Sequence, residues 1–120
     1  MHIKESIYIN ATPESLFPYV IDPEKSEEWD ENRQSMEILT EGPFGKGTRV
    51  RVVRKIPMGT VETVEEIIEF EENRLIGWAT IEGNMITTAS VRLEPRGDTT
   101  EITFDMSGGL PFPMKLLLLS

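Results

Sequence analysis

The chain has no cysteine. Disulfides, thiolate metal sites and a cysteine nucleophile are therefore excluded. Its single histidine is His2, at the N-terminal end, so neither a His-based metal site nor a Ser-His-Asp triad is expected. Basic residues are scarce too. Twelve Lys and Arg face 21 Asp and Glu, a net charge of -9 at pH 7. Nucleic acid is not an expected partner, because neutralising phosphates takes clustered cations. The same charge disfavours docking on anionic membranes.

Long apolar runs are missing as well. The four consecutive leucines Leu116–Leu119 are too few to span a bilayer, so no integral membrane segment is expected. The opening MHIKESIYIN lacks the apolar stretch of a secretory signal, which makes a cytoplasmic location the expectation. The acidic run Glu27, Glu28, Asp30 and Glu31 lacks the glycine-bearing loop of a calcium site and reads as a solvated face. Gly42–Gly47 is glycine-rich, but no Lys-Ser/Thr and no helix follow it, so a phosphate loop is rejected. No metal and no cofactor are expected.

What is present is ordinary for a globular protein: 38% hydrophobic and 28% charged residues over 120 positions, enough for one domain, 1–120, with a real core. Ile3, Ile7 and Ile9 share one parity and predict a half-buried strand over 2–10. Thr12-Pro13 then reads as a capped helix start. The helix, Pro13 to Ile21, should bury Leu16, Phe17 and Val20, with a kink or a 3₁₀ turn at Pro18. Asp22-Pro23 restarts a second short helix that runs to about Trp29.

From Gln34 the apolar period becomes two. Strands are expected over 34–40, 47–56, 60–70, 75–82, 85–94 and 99–107, separated by turn residues at regular intervals, as in an antiparallel meander. The turns set the pairing. Two-residue loops at Gly97-Asp98 and Gly83-Asn84 pair Val91 with Phe104, Leu93 with Ile102, Trp78 with Ala89 and Ile76 with Val91. A four-residue loop at Glu71–Arg74 pairs Ile67 with Trp78. Another around Pro57-Met58 pairs Arg51 with Glu66 and Lys55 with Glu62. One face then holds Val50, Val52, Arg54, Val61, Thr63, Glu65 and Ile67 from the earlier strands. It also holds Ile76, Trp78, Thr80, Glu82, Met85, Thr87, Ala89 and Val91, followed by Leu93, Ile102, Phe104 and Met106. The other face keeps Ile68, Phe70, Leu75, Ile81 and Ile86. These are either a second contact surface or the mark of a register slip near Glu71.

The tail supplies the last element. Pro111 and Pro113 end the final strand, and Met114 to Leu119 is an apolar helical run. A sheet with one apolar face needs a layer to cover it. A strand, two short helices, a meander and a closing helix is the order of the α+β helix-grip fold.

Five stretches in order carry a family likeness: Ile7-Tyr-Ile-Asn-Ala-Thr-Pro-Glu-Ser-Leu-Phe17, Asp22-Pro-Glu-Lys-Ser-Glu-Glu-Trp29, Gly42-Pro-Phe-Gly-Lys-Gly-Thr-Arg49, Glu69-Phe-Glu-Glu-Asn-Arg-Leu75 and Leu93-Glu-Pro-Arg-Gly-Asp-Thr-Thr100. Together they resemble the START-like, birch-pollen-allergen-type (SRPBCC) superfamily, and within it the polyketide cyclase/dehydrase and lipid-transport group. The resemblance implies a curved seven-stranded antiparallel sheet around a C-terminal helix, with a hydrophobic cavity between them. It implies binding of lipids, polyketides or other apolar small molecules, and it does not imply catalysis. The family's last helix is longer than the run ending at Ser120. The surface near Trp78, Met85 and Thr87 is accordingly expected to be open, covered by a second copy, or covered by residues beyond this sequence.

Candidate ligand contacts follow from the inner face: Val52, Ile67, Ala89, Phe104 and Met106 as apolar wall, Met85 as adaptable filler, and Trp78 as a flat ring with one N–H. Trp29 reads first as a hinge plug between the helix pair and the sheet, and second as a cavity wall. Arg54 and Glu65 point inward, and buried charges need partners. They read as a polar pair inside the cavity or as solvated groups at its mouth, with Thr87 a further polar contact. Glu82, beside a turn, reads as solvated. Three functions remain open: a carrier of a hydrophobic or amphipathic small molecule, a cyclase- or dehydratase-like enzyme in the same cavity, and an interaction module dimerising through an uncovered groove.

Overall fold

A computed structural model describes residues 2–21, 33–83 and 86–109. The expected second helix with Trp29 and the acidic run, Met85, and the tail 114–119 lie outside the described residues. Strand β1 (His2–Ile9) leads into helix α1 (Pro13–Ile21). Six strands follow: β2 (Arg33–Ile38), β3 (Arg49–Ile56), β4 (Gly59–Glu71), β5 (Leu75–Glu82), β6 (Ile86–Arg96) and β7 (Thr99–Gly109). They form one seven-stranded antiparallel sheet in the order β1-β7-β6-β5-β4-β3-β2. From β2 to β7 this is a meander of sequential neighbours, and β1 closes onto the last strand.

Thr12 caps α1 as its position predicts. The Ser15 backbone N–H donates to Thr12 Oγ1 at 3.3 Å and to the Thr12 carbonyl at 3.1 Å. The helix stays α-helical through Pro18, so no 3₁₀ turn forms. Only one helical hydrogen bond is forfeited there, to the Glu14 carbonyl. Phe17 is the fully buried residue of α1, while Leu16 and Val20 are half-buried. The buried Thr100 hydroxyl donates to the Ala11 carbonyl at 2.6 Å, which ties the bend between β1 and α1 to β7.

The β5–β6 and β6–β7 pairings match expectation: Ile76 faces Val91, Trp78 faces Ala89, Val91 faces Phe104 and Leu93 faces Ile102. Two other registers differ. The β3–β4 loop is only Pro57-Met58, with Ile56 opposite Gly59. Arg49, not Arg51, therefore faces Glu66, and Arg54 faces Val61 rather than Thr63. The shift is two residues, so every side chain keeps its face. Cross-strand neutralisation persists with new partners. Arg49 meets Glu66 at 3.1 Å, and Arg51 meets Glu62 at 2.9 Å and Glu37 at 3.2 Å.

The second difference is at the β4–β5 hairpin. Glu71 faces Leu75, which leaves a three-residue loop, Glu72–Arg74, with Asn73 left-handed at φ 61°. A bulge at Ile68 then restores the expected pairing of Ile67 with Trp78. The two deviations cancel beyond the bulge, but between bulge and turn they invert the strand. Phe70 faces Ile76 and so lies on the inner face, not the outer one expected from strict alternation. There its ring packs on Phe17 of α1 at 5.7 Å and on Phe44 at 6.0 Å between centroids. A further bulge at Ile81 sets Glu82 opposite Val64, on the outer face, and Glu82 is exposed. The inward placement expected for Glu82 is thereby corrected.

The core sits where α1 meets this face. Val20 and Ile21 of the helix, with Phe44 and Phe70, pack against the buried Ile67, Ile76 and Val91. Val50, Val52, Val61, Ala89 and Leu93 extend the buried surface across the sheet. The other face is not wholly polar, since Val64 and Leu75 are also buried. Phe17→Ala should cost about 3–5 kcal/mol in urea unfolding. A cycle with Phe70→Ala should show coupling of roughly 0.5–1.5 kcal/mol, and strictly additive losses would mean that the Phe17–Phe70 contact does not join helix to hairpin.

Candidate functional site

Pairing converts the inner face into rows that run across the strands. The first row is Ile76, Val91 and Phe104, ending at Glu5 on β1. The next is Ile67, Trp78, Ala89, Met106 and Ile3. Beyond it, Val50, Glu65 and Thr80 stand in line, and the Thr87 backbone N–H donates to Thr80 Oγ1 at 3.1 Å. The first row lies toward the α1 core. The third lies on the opposite side of Trp78.

Most of the residues predicted to contact a ligand are brought together here. Val52, Glu65, Ile67 and Ala89 are buried, and Trp78, Thr87, Phe104 and Met106 are half-buried. Trp78 packs against the core cluster on one side. On the other side comes the polar line of Glu65, Thr80 and Thr87. The surface is thus apolar with one polar margin, which suits a molecule having an apolar body and a polar group. Trp29 and Met85 fall outside the described residues.

Arg54 and Glu65 form an ion pair, Nη1 to Oε1 at 3.5 Å, with side chains 24% and 9% exposed. Their strand positions are offset. Arg54 faces Val61 and Glu65 faces Val50, with the Val52–Thr63 row between. Four residues along a strand span about 13 Å, so both side chains must extend toward each other to meet. The pair answers the requirement that a carboxylate so far out of water have a cationic partner.

Two features of this surface were not drawn from the sequence. Glu5 shares the parity of Ile3 and Ile7, so its inward position opposite Phe104 was legible there. The Phe17–Phe44–Phe70 cluster had no local signal, because it depends on the bulge at Ile68. The glycine-rich loop before β3 also helps to build the site. Gly47 N–H donates to the Ile67 carbonyl, and Ile67 N–H to the Thr48 carbonyl, both at 2.8 Å. Gly47 has φ 93°, which favours glycine, and the loop carries Phe44 onto Phe70.

Breaking the ion pair from one side should be worse than removing it. Arg54→Met is expected to lower stability by roughly 1–3 kcal/mol, below the fully buried case because the guanidinium keeps some water. The double variant Arg54→Met/Glu65→Leu should recover most of that loss in the same urea titration. A double variant as unstable as the sum of its singles would show that the two side chains are not coupled.

Comparison with known proteins agrees with this geometry. The family described as polyketide cyclase / dehydrase and lipid transport matches residues 1–117. No curated protein matches the chain. Among solved structures, TTHA0849 from Thermus thermophilus superposes with a TM-score of 0.82 at 21% identity, covering 99% of this chain and 81% of that one. A START superfamily protein from Mycobacterium smegmatis gives 0.77 at 19% identity, with 95% and 83% covered. The ginseng major latex-like protein 151 from Panax ginseng gives 0.72 at 18% identity, with 98% and 87% covered. At these identities the structural likeness bears on the fold: a curved seven-stranded antiparallel sheet with helix α1, consistent with the helix-grip fold. No helix among the described residues is long and apolar enough to cross a membrane. With the family match extending over nearly its whole length, the chain belongs to the polyketide cyclase / dehydrase and lipid-transport family.

Proposed function

We propose that this protein binds a hydrophobic or amphipathic small molecule, of the lipid or polyketide type, against the inner face of its sheet. The observation that carries this reading is the juxtaposition at Trp78. The ring stands half-buried between the apolar row of Ile67, Ala89 and Met106 and the polar margin of Glu65, Thr80 and Thr87. A half-buried aromatic surface of this kind releases water on contact with an apolar ligand, at roughly 25 cal/mol per Å² covered. The hydroxyls beside it give such a ligand one preferred orientation. The family's lipid-transport members and the START-like fold support the same class of ligand.

The test uses the tryptophans. The chain has two, so Trp29→Phe leaves Trp78 as the sole indole. Titration with the neutral apolar dye N-phenyl-1-naphthylamine should quench or blue-shift the Trp78 emission and saturate at one dye per chain. Native mass spectrometry of protein purified from cells should show an apolar molecule retained. A folded protein that binds no dye, or binds it with Trp78 emission unchanged, would remove the basis for this reading.

A further inference from the structure

Four polar residues are buried among the described ones: Thr48, Thr63, Glu65 and Thr100. A buried polar group without a hydrogen bond is costly, so each is expected to have a partner. Three do. Thr48 Oγ1 accepts from the Gly45 backbone N–H at 3.0 Å, Thr100 donates to the Ala11 carbonyl, and Glu65 meets Arg54. Thr63 differs. It is 3% exposed, and among the described residues its hydroxyl has no hydrogen-bond partner.

Thr63 stands on the inner face, opposite Val52 and two residues before Glu65. Its methyl lies against the turn between β5 and β6, where a Cβ added to Gly83 would come within 3.0 Å of Thr63 Cγ2. Gly83 has φ 127°, so this turn needs glycine both for its backbone and for the close approach. With the methyl branch packed on Gly83, the hydroxyl is the branch left to bond. Ile67, the partner of Trp78, is four residues further along β4, about 13 Å away. The Glu65–Thr80 row lies between them. A molecule lying along β4 from the Trp78 ring thus reaches Thr63 with its far end.

We infer that Thr63 is the residue that hydrogen-bonds the polar end of the ligand, a hydroxyl or a carbonyl, and that the site is incomplete until a ligand supplies that bond. A threonine hydroxyl both donates and accepts, so either group satisfies it. The ligand gives up water to reach this place, but Thr63 has already given up its own. The bond then relieves a group that the free protein leaves unsatisfied. Thr80 offers less, because its oxygen already accepts from the Thr87 backbone N–H. A ligand without a polar end leaves Thr63 as it was. The inference rests on the proposed ligand-binding function and deepens it by naming the group that meets the polar end.

The experiment is displacement of N-phenyl-1-naphthylamine by two rods of the same shape, para-hydroxybiphenyl and para-methylbiphenyl, from the wild type, Thr63→Val and Thr63→Ser. Valine keeps the shape and drops the hydroxyl. Serine keeps the hydroxyl and drops the methyl on Gly83. Hydration of the phenol is common to all three proteins, so the decisive quantity is the ratio of the two displacement constants. In Thr63→Val it should shift about two- to tenfold toward the methyl compound, and in Thr63→Ser it should stay at the wild-type value. Urea unfolding without ligand is the second readout. Thr63→Val should unfold at the same urea concentration as the wild type or a higher one, since no bond is lost, and Thr63→Ser at a lower one. A ratio unchanged in Thr63→Val overturns the inference and leaves the ligand-binding function standing. A lower urea midpoint for Thr63→Val overturns it too, because the hydroxyl would then have a partner, such as a bound water, in the free protein. A ratio that shifts equally in Thr63→Ser traces the effect to shape and also overturns it. Failure of the wild type to bind the dye or either compound overturns both.

Discussion

The architecture depends on one extra residue in a strand. At Ile68 the β4 ladder carries a residue without a partner on β5, and the three residues beyond it, Glu69, Phe70 and Glu71, change face. That places Phe70 inside, where its ring receives Phe17 from α1 and Phe44 from the loop before β3. Three separate parts of the chain are joined at that point: the helix, the β4–β5 hairpin and the glycine-rich connection. Without the bulge, Phe70 would lie on the outer face, and the helix would lose the aromatic partner that seats its buried residue.

Seating α1 at this place has a consequence for the rest of the inner face. The helix, Phe44 and Phe70 fill the region over Ile67, Ile76 and Val91. Trp78 stands at the border of that packed region and Glu65, Thr80 and Thr87 stand beyond it. The apolar floor and the polar margin are thus adjacent because the core is packed toward one side of the sheet. The candidate site occupies what the core leaves over.

Charge follows the same division between faces. On the outer face, Arg49 and Arg51 meet carboxylates across strands while exposed to water, and such pairs contribute little to stability individually. On the inner face, Arg54 meets Glu65 in a place largely screened from water. There the same chemistry has a larger electrostatic effect, because less solvent is present to compensate for an isolated charge. Two basic residues of one strand, three positions apart, therefore do different things.

Much of this was legible in residue order. The period of two, the turn residues and the Thr12-Pro13 cap are local signals, and they specify seven strands, α1 and most of the inner face from Val50 to Met106, with Phe70 and Glu82 the exceptions. Even an error of two residues in the β3–β4 register left the faces intact, because side chains alternate with a period of two. The family resemblance was likewise readable from five short stretches. The bulges at Ile68 and Ile81 were not readable, since a single unpaired residue leaves the apolar pattern almost unchanged and is decided by what each side chain can pack against. The meeting of Arg54 with Glu65 was open for the same reason. Sequence establishes that both point inward, while the distance between them depends on register, strand curvature and the reach of two long side chains, which exist only once the sheet has closed around its core.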